Sequence, residues 1–374
     1  MANHPLFANV RRSPYFDRTE AAGAVAYMAY NHMYMAMDYG RQPAAEYRAL
    51  TEGVTLWDVG AERQVELAGP DALRFADRLA TRDLSQLEPG ACRYTLIADE
   101  NGIVICDPVV LHVSDGRVWL SHGNVDLLLW AKGVALGAGL DVTVREADVA
   151  PMQLQGPLAR TVLEPLVGSV LEGLGYYRLT HAEIAGVPCV VSRTGWSGGP
   201  GYEIFPLGSE RALEVWDAVE GAGTPLGLLI VGPNVPRALE RGISDIAWFH
   251  NLGVNALEAA ERLVDLDAGD FIGRDALLAV REAGVKRHTV GFVGPDVVLP
   301  RADGTWQLTR DGAPAGATRW VTRSPTLGRI IGIGVVDSQH ADEGTELALV
   351  APGGDVPLEV APLPFVPAPP GTSD

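Results

Sequence analysis

The stretch Arg193-Thr194-Gly195-Trp196-Ser197-Gly198-Gly199-Pro200-Gly201-Tyr202-Glu203 constrains this chain more than any other. With four glycines and a proline it cannot be a regular element, because glycine loses the most backbone entropy on ordering and serves where chain turns or approaches a ligand. The apolar run Val187 to Val191 reads as a buried strand feeding this loop, and Tyr202-Glu203-Ile204-Phe205 alternates like a second strand leaving it. A loop ending in an aromatic and a carboxylate sets acceptor oxygens beside a flat apolar face. That suits a planar heterocycle with N–H donors, such as a pterin. The alternative is a hairpin loop whose glutamate faces water.

The chain's 374 residues suffice for roughly two or three domains. A net charge of -18 argues against nucleic acid, whose phosphates would be repelled. An anionic ligand would need local Arg or Lys against that field. Cys92, Cys106 and Cys189 form no CxxC pair and have no histidine at metal spacing, so neither a zinc site nor a disulfide framework is expected. Arg11-Arg12 with no apolar stretch is not a secretory signal, and no run reaches the ~18 apolar residues of a membrane span, so a soluble, cytoplasmic protein is expected.

Several further stretches carry chemistry or scaffold. Residues 13 to 40 are dense in aromatics and methionines, from Tyr15 and Phe16 to Tyr30, Tyr34 and Tyr39, and read as core or partner surface. Val65 and Leu67 alternate as a strand, and Pro70 opens a helix with Leu73, Ala76 and Ala80 on one face. Asp99 to Gly102 is a turn. The apolar run Ile103 to Val113 is interrupted by Cys106-Asp107-Pro108, where a carboxylate must be paired or used and proline removes a ladder donor. Cys106 reads as a small buried filler. His122 is either a proton shuttle near pKa ~6.5 or a satisfied strand-end histidine. Asn124 is placed to cap a helix holding Leu127, Leu128 and Trp130, and Ser209 to cap one with Ala212, Val215, Trp216 and Val219 inward. Leu347/Leu349 and Val356/Leu358/Val360 alternate around Pro352-Gly353-Gly354-Asp355 as a hairpin.

The loop Arg193 to Glu203 resembles the segment R-[TS]-G-[YW]-[TS]…G-[YF]-E of the glycine-cleavage T-protein (aminomethyltransferase) superfamily. Gln153 to Pro157, Asp270 to Leu277 and Ser324 to Gly328 resemble further segments of that family, and the opening Pro14 to Met35 and Trp57-Asp58-Val59 with Glu62-Arg63-Gln64-Val65 and Gly69 to Ala72 resemble its tetrahydrofolate-dependent demethylase branch. That branch acts on dimethylsulfoniopropionate and on methoxylated aromatics such as vanillate and syringate. The resemblance covers roughly residues 13 to 365. It departs at Cys106, where asparagine or aspartate is expected, at His122 and Asn124, and at Ala238 and Ile246, which replace an arginine and a tyrosine. Arg237 and Arg241 flank Ala238 and are expected in exposed salt bridges.

The resemblance implies an α+β fold, a three-part cloverleaf around a central folate channel. Residues 1–284 would form two intertwined α+β subdomains, 285–365 a C-terminal β-barrel, and 366–374 a disordered tail. It implies transfer of a methyl group from an O-, S- or N-methyl donor to N5 of tetrahydrofolate, the sole cofactor. Asp107, Tyr30 and His122 are then the candidate catalytic residues, the aromatic opening lining the donor pocket. Glu203, Tyr202, Trp196, Arg193, Asn124, Asp126 and Arg323 are the candidates for folate, Arg323 for its tail. The expected partners are a small-molecule methyl donor and folate, with no nucleic acid or membrane, in a monomer or homodimer. Alternatives are aminomethyl or other one-carbon transfer in biosynthesis, or a folate binder without activity, a branch whose cysteine motif is missing at Asn251 to Asn255.

Overall fold

In the computed structural model, residues 9–244, 246–300 and 304–368 are described, without side chains for 246–248; counts below refer to these residues. Two antiparallel-rich sheets form the N-terminal part. One runs in the order Leu179–Ile184, Val187–Ser192, Gly201–Pro206, Met152–Gln155, Thr55–Asp58 and Leu229–Ile230. The other runs Thr143–Glu146, Gln64–Ala68, Arg117–Ser121, Val109–Ser114 and Cys92–Tyr94.

Strand alternation explains how these sheets stack. In Gly201–Pro206, Tyr202 and Ile204 enter a core with Val215, Trp216 and Val219 of the helix Ala212–Gly223. Phe205 points the other way, into a layer with Val190, Leu111 and Trp119 of the second sheet. The Trp119 and Phe205 rings sit 5.8 Å apart. Helices Ala72–Leu79 and Leu127–Ala138 cover the second sheet's outer face. The first buries Ala72, Phe75, Ala76 and Leu79, so its inward face is shifted from the expected one.

The interruption at Asp107-Pro108 is a change of sheet. Val104–Cys106 pairs with Ile97–Ala98, whereas Val109–Ser114 belongs to the five-stranded sheet. Cys106 is fully buried beside Leu79 and Ile97, as a filler should be. Asp126, not Asn124, stands at the N-cap of Leu127–Ala138, with no side-chain capping bond. Ser209 begins a short 3-10 turn, and its backbone N–H and hydroxyl both donate to Asp148 (3.1 and 2.6 Å) instead of capping.

The C-terminal part is a closed six-stranded barrel, Arg287–Val293, Arg329–Asp337, Ala313–Ser324, Trp306–Arg310, Glu346–Leu349 and Val356–Ala361. The expected hairpin forms its last two strands. Glu240, at the end of the helix Val235–Glu240, docks the barrel: it accepts from Ser324 Oγ (2.5 Å), the Thr326 N–H (3.2 Å) and the Tyr47 hydroxyl. Arg237 and Arg241 are not on the surface as expected. Arg237 is buried 3.5 Å from Glu240, and Arg241 donates to the Val366 carbonyl at 2.8 Å. Val366 also donates to the Glu240 carbonyl, so the tail expected from 366 is anchored at its start. Residues 369–374 and the side chain of Ile246 lie outside the described residues.

The aromatic opening is mostly core. Tyr15 stacks on Trp216 (centroids 4.7 Å apart) and donates to the Ala150 carbonyl, and Phe16 stacks on Tyr27. Among the described residues, no helix is long and apolar enough to cross a membrane.

Candidate active site

Strand register builds the site. Ser192 and Gln153 lie directly opposite Glu203 on its two neighbouring strands, and Trp57 lies opposite Gln153. Cross-strand partners share a face. Ser192, Glu203, Gln153 and Trp57 therefore form a row on the face that points toward the second sheet.

Glu203 is 5 % exposed, and each carboxylate oxygen has one protein donor: Gln153 Nε2 at 3.0 Å on Oε1 and the Thr194 hydroxyl on Oε2. Thr194 belongs to the glycine loop and is itself 2.5 Å from Ser192 Oγ. The loop is held by Gln155, whose Oε1 accepts from Ser197 Oγ at 2.6 Å. A Cβ built at Gly195 (φ +154°) or Gly201 would come within 2.3 or 2.5 Å of the Gln155 amide. Those two glycines let the loop close down on Gln155 and set Thr194 against the acid.

A second carboxyl, that of Glu62, expected only as scaffold, lies near this row. The Glu62 backbone is pinned by its N–H to the Val59 carbonyl (2.8 Å) and by Gln64 Nε2 on its carbonyl (2.7 Å). Burial first, and the charge of Glu203 second, hold the Glu62 pKa well above the carboxyl range. Burial also raises Glu203, against the opposing bonds from Thr194 and Gln153. Two buried carboxyls this close resist carrying two charges. A glutamate just ahead of a strand looks like a solvated turn residue in sequence. Only its placement near Glu203 in the folded chain distinguishes it.

The other candidates separate into distinct places. Trp196 lies beside the row: its backbone N–H donates to Gln153 Oε1 at 3.4 Å, and its half-buried ring packs on Leu50, Trp57 and Val59. Tyr202 points to the opposite face, into the helix-covered core, because it alternates with Glu203 along one strand. Arg193 donates to the Leu174 carbonyl at 3.1 Å. Arg323 lies on the barrel surface, in a two-pronged pair with Asp296 (2.6 and 3.0 Å). Its neighbour Ser324 is the residue that faces inward.

Asp107 occupies the sheet change and accepts from Tyr94 Oη at 2.8 Å. Burial and then Asp107 hold the Tyr94 phenol well above its ordinary pKa, so it stays a proton-bearing donor. Tyr94 shares its strand with Cys92, whose thiol is pushed up by burial and then by Glu203.

His122 is buried, with Nδ1 2.7 Å from the Gly123 carbonyl and Nε2 left without a hydrogen-bonding partner. Desolvation lowers its pKa to about 4. It is neutral at pH 7, carries its proton on Nδ1 toward that carbonyl, and is not the shuttle near 6.5. Asn124 and Asp126 seat the tip of the hairpin Ala26–Tyr30/Met33–Asp38. Asn124 Oδ1 accepts the Asn31 N–H at 2.7 Å, and exposed Asp126 lies 3.6 Å from His32 Nε2. Tyr30, leading into that tip, packs with Met33, Met35 and Ala61. A separate cavity of about 250 Å³ lies by Leu50, Thr51, Pro157, Ser197, Pro200 and Arg237, with none of Glu62, Gln153 or Glu203 in its wall.

Comparison with known proteins accords with this architecture. The GCVT N-terminal domain matches residues 15–242, and the glycine cleavage T-protein C-terminal barrel domain matches 287–367. Dimethylsulfoniopropionate demethylase from Ruegeria pomeroyi is 32% identical over 351 residues, 94% of this chain and 96% of that one. An aminomethyltransferase from Moorella thermoacetica is 30% identical over 364 residues, 96% and 98% of the two chains. The crystal structure of glycine cleavage system aminomethyltransferase T from Bartonella henselae superposes with a TM-score of 0.83 over 96% of this chain and 98% of that one, at 22% identity. The chain therefore belongs to the glycine cleavage T-protein family of tetrahydrofolate-dependent one-carbon transferases.

Proposed function

We propose that this enzyme moves a methyl group from an O-, S- or N-methyl small-molecule donor to N5 of tetrahydrofolate. The observation that carries the reading is Glu203, a buried carboxylate with one protein donor on each oxygen. One acceptor direction remains on each oxygen for the paired N–H donors along a pterin edge. Trp196 offers the adjacent flat surface. Bound tetrahydrofolate supplies the nucleophilic nitrogen; the chain's part is to orient and to manage a proton. Asp107 with the protonated Tyr94 phenol is the carboxyl–hydroxyl couple suited to that proton.

Likeness to a dimethylsulfoniopropionate demethylase over nearly the whole of both chains favours methyl transfer. Aminomethyl transfer is the second reading, supported by an aminomethyltransferase that also matches over nearly the whole of both chains. The test is incubation of enzyme and tetrahydrofolate with dimethylsulfoniopropionate, a methoxylated aromatic acid or an aminomethyl donor, reading folate products by mass spectrometry. Methylated folate from a methyl donor upholds the proposal. Methylenefolate from the aminomethyl donor alone replaces it with the second reading.

A further inference from the structure

We propose that the cavity beside the glycine loop is a carboxylate subsite, in which the Arg237 guanidinium holds the acid group of a small-molecule ligand. The acid belongs either to the tail of tetrahydrofolate, an arm that rests on the folate reading, or to a separate short organic acid. The cavity, of about 250 Å³, is walled by Ser197, Gly199 and Pro200 of the loop, by Leu50, Thr51 and Pro157, and by Arg237. Its hydroxyls are spent: Ser197 donates to Gln155 Oε1 at 2.6 Å, and Thr51 to the Tyr47 carbonyl at 2.9 Å. Arg237 is not. Its side chain is 10 % exposed, and among the described residues its guanidinium makes one ion pair, to Glu240 at 3.5 Å, and no hydrogen bond.

Charge points the same way. Glu240 is occupied by three closer donors, the Tyr47 hydroxyl, Ser324 Oγ at 2.5 Å and the Thr326 N–H at 3.2 Å. Arg241, one turn on, adds a second guanidinium: burial and then the charge of Arg237 lower its pKa, and its buried Nε has no hydrogen-bonding partner. Two arginines thus share one carboxylate where unpaired charge is costly, and a further anion would balance them. The parallel N–H donors of a guanidinium match the two oxygens of a carboxylate. Leu50, Pro157 and Pro200 offer an apolar wall for the stem that carries it. In a chain of net charge -18, this cation supplies the local attraction that an anionic ligand needs. Pro200 lies three residues from Glu203, so at ~3.4 Å per residue the cavity wall begins about 10 Å from that acid along the strand. A ligand anchored at Glu203 can extend to it, or a second ligand can sit beside the first.

The experiment is anaerobic calorimetric titration of wild type, Arg237→Gln and Gly199→Val, with circular dichroism melts of each. The ligands are tetrahydrofolate, a tetrahydropterin lacking the aminobenzoyl-glutamate tail, and the short acids propionate and benzoate. A Cβ at Gly199 would lie 3.8 Å from Arg237 Nη2 and 3.5 Å from Ser197 Oγ, both ordinary contacts. Valine there narrows the cavity and leaves the ion pair to Glu240 in place. A tail site predicts that both variants lose about 10- to 100-fold in affinity for tetrahydrofolate and nothing for the pterin. A separate acid site predicts that wild type binds a short acid, that both variants lose this binding by a similar factor, and that tetrahydrofolate and the pterin are unaffected. Variants that bind tetrahydrofolate like wild type, with no short-acid binding to lose, overturn the inference and leave the folate reading intact. Losses that extend equally to the pterin do the same. Short-acid binding that the variants lose, in a wild type that does not bind tetrahydrofolate, upholds the inference and overturns the folate reading. A wild type that binds neither overturns both. If Arg237→Gln melts well below wild type, Gly199→Val decides.

Discussion

Replacing Glu240 by alanine should destabilise the protein by about 3–5 kcal/mol, the range for removing one partner of a buried ion pair. Glu240 has 0 % exposure. Its carboxylate receives the Tyr47 hydroxyl, Ser324 Oγ and the Thr326 N–H, with Arg237 at 3.5 Å. Counting these as four charge-assisted bonds at ~1.5–3 kcal/mol each would overstate the loss. Tyr47 and Thr326 already share a 2.6 Å hydrogen bond and can re-pair once the acid is gone. The Arg237 guanidinium, buried to 9 % exposure, has no such replacement and sets the lower bound. Glu240→Gln, which keeps an acceptor for Ser324 and Thr326, should lose about half as much. Urea unfolding followed by tryptophan fluorescence measures both. Because Glu240 joins the helix Pro43–Glu52, its own helix and the barrel, the alanine variant should also split into two transitions as the barrel releases first. A single transition weakened by less than ~1 kcal/mol would refute the view that this carboxylate docks the barrel.

Glu203→Gln should weaken tetrahydrofolate binding by roughly 10- to 100-fold, since it removes a charged acceptor that already holds two protein donors; calorimetric titration against wild type checks it. Arg323→Ala should leave that affinity unchanged, because its guanidinium is committed to Asp296 on the barrel surface. His122, whose pKa falls from 6.5 to about 4 on folding, binds its proton more readily when unfolded. Its contribution is therefore complete above pH 6.5 and lost as pH falls toward 4, by about 3 kcal/mol in total at ~1.4 kcal/mol per pH unit. Urea melts between pH 7 and 4.5 should show a steeper fall for wild type than for His122→Asn. Gly195→Ala should lower both stability and folate affinity, as its Cβ would strike Gln155 in a backbone conformation unfavourable to alanine; thermal melts and the same titration read the two effects.

The glycine loop, its two strands, the barrel hairpin and the helix around Trp216 were legible because periodicity and glycine act locally. The position of Glu203 was legible for the same reason, where an alternating strand meets a glycine loop, and its burial decides against a glutamate that faces water. Tyr202 shows the limit of that reasoning, since adjacent strand residues face opposite sides and only one of the two can line a site. Arg323 shows another. A loop motif places a basic residue near the right segment, while the pairing Thr322↔Ile331 to Ser324↔Arg329 turns Ser324, and not Arg323, inward. Glu62 was hidden because its character comes from burial and from Glu203, 141 positions away in sequence. Burial and coupling of that kind leave no trace in local pattern.

The replacement at position 106 shows how the scaffold and the chemistry share one break in the chain. Cys106 ends a two-residue-paired strand and lies with Leu79 and Ile97 in an apolar cluster, with no solvent exposure. An unpaired carboxylate at that point would carry the full penalty of a buried charge. Pro108 then withdraws a backbone donor, so the chain leaves one sheet and enters the other, and Asp107 is the residue turned toward Tyr94 at the crossing. The proton-handling group in this enzyme is accordingly sought one position after the cysteine, where a carboxylate has a phenol to hold and partial contact with solvent. Asp107→Asn separates this from a purely structural role. It keeps an acceptor for Tyr94 while removing the carboxylate, so it should preserve the fold and folate binding and lower turnover by the ~10²-fold or more that positioned acid–base groups contribute. Unchanged turnover in Asp107→Asn would move the proton elsewhere.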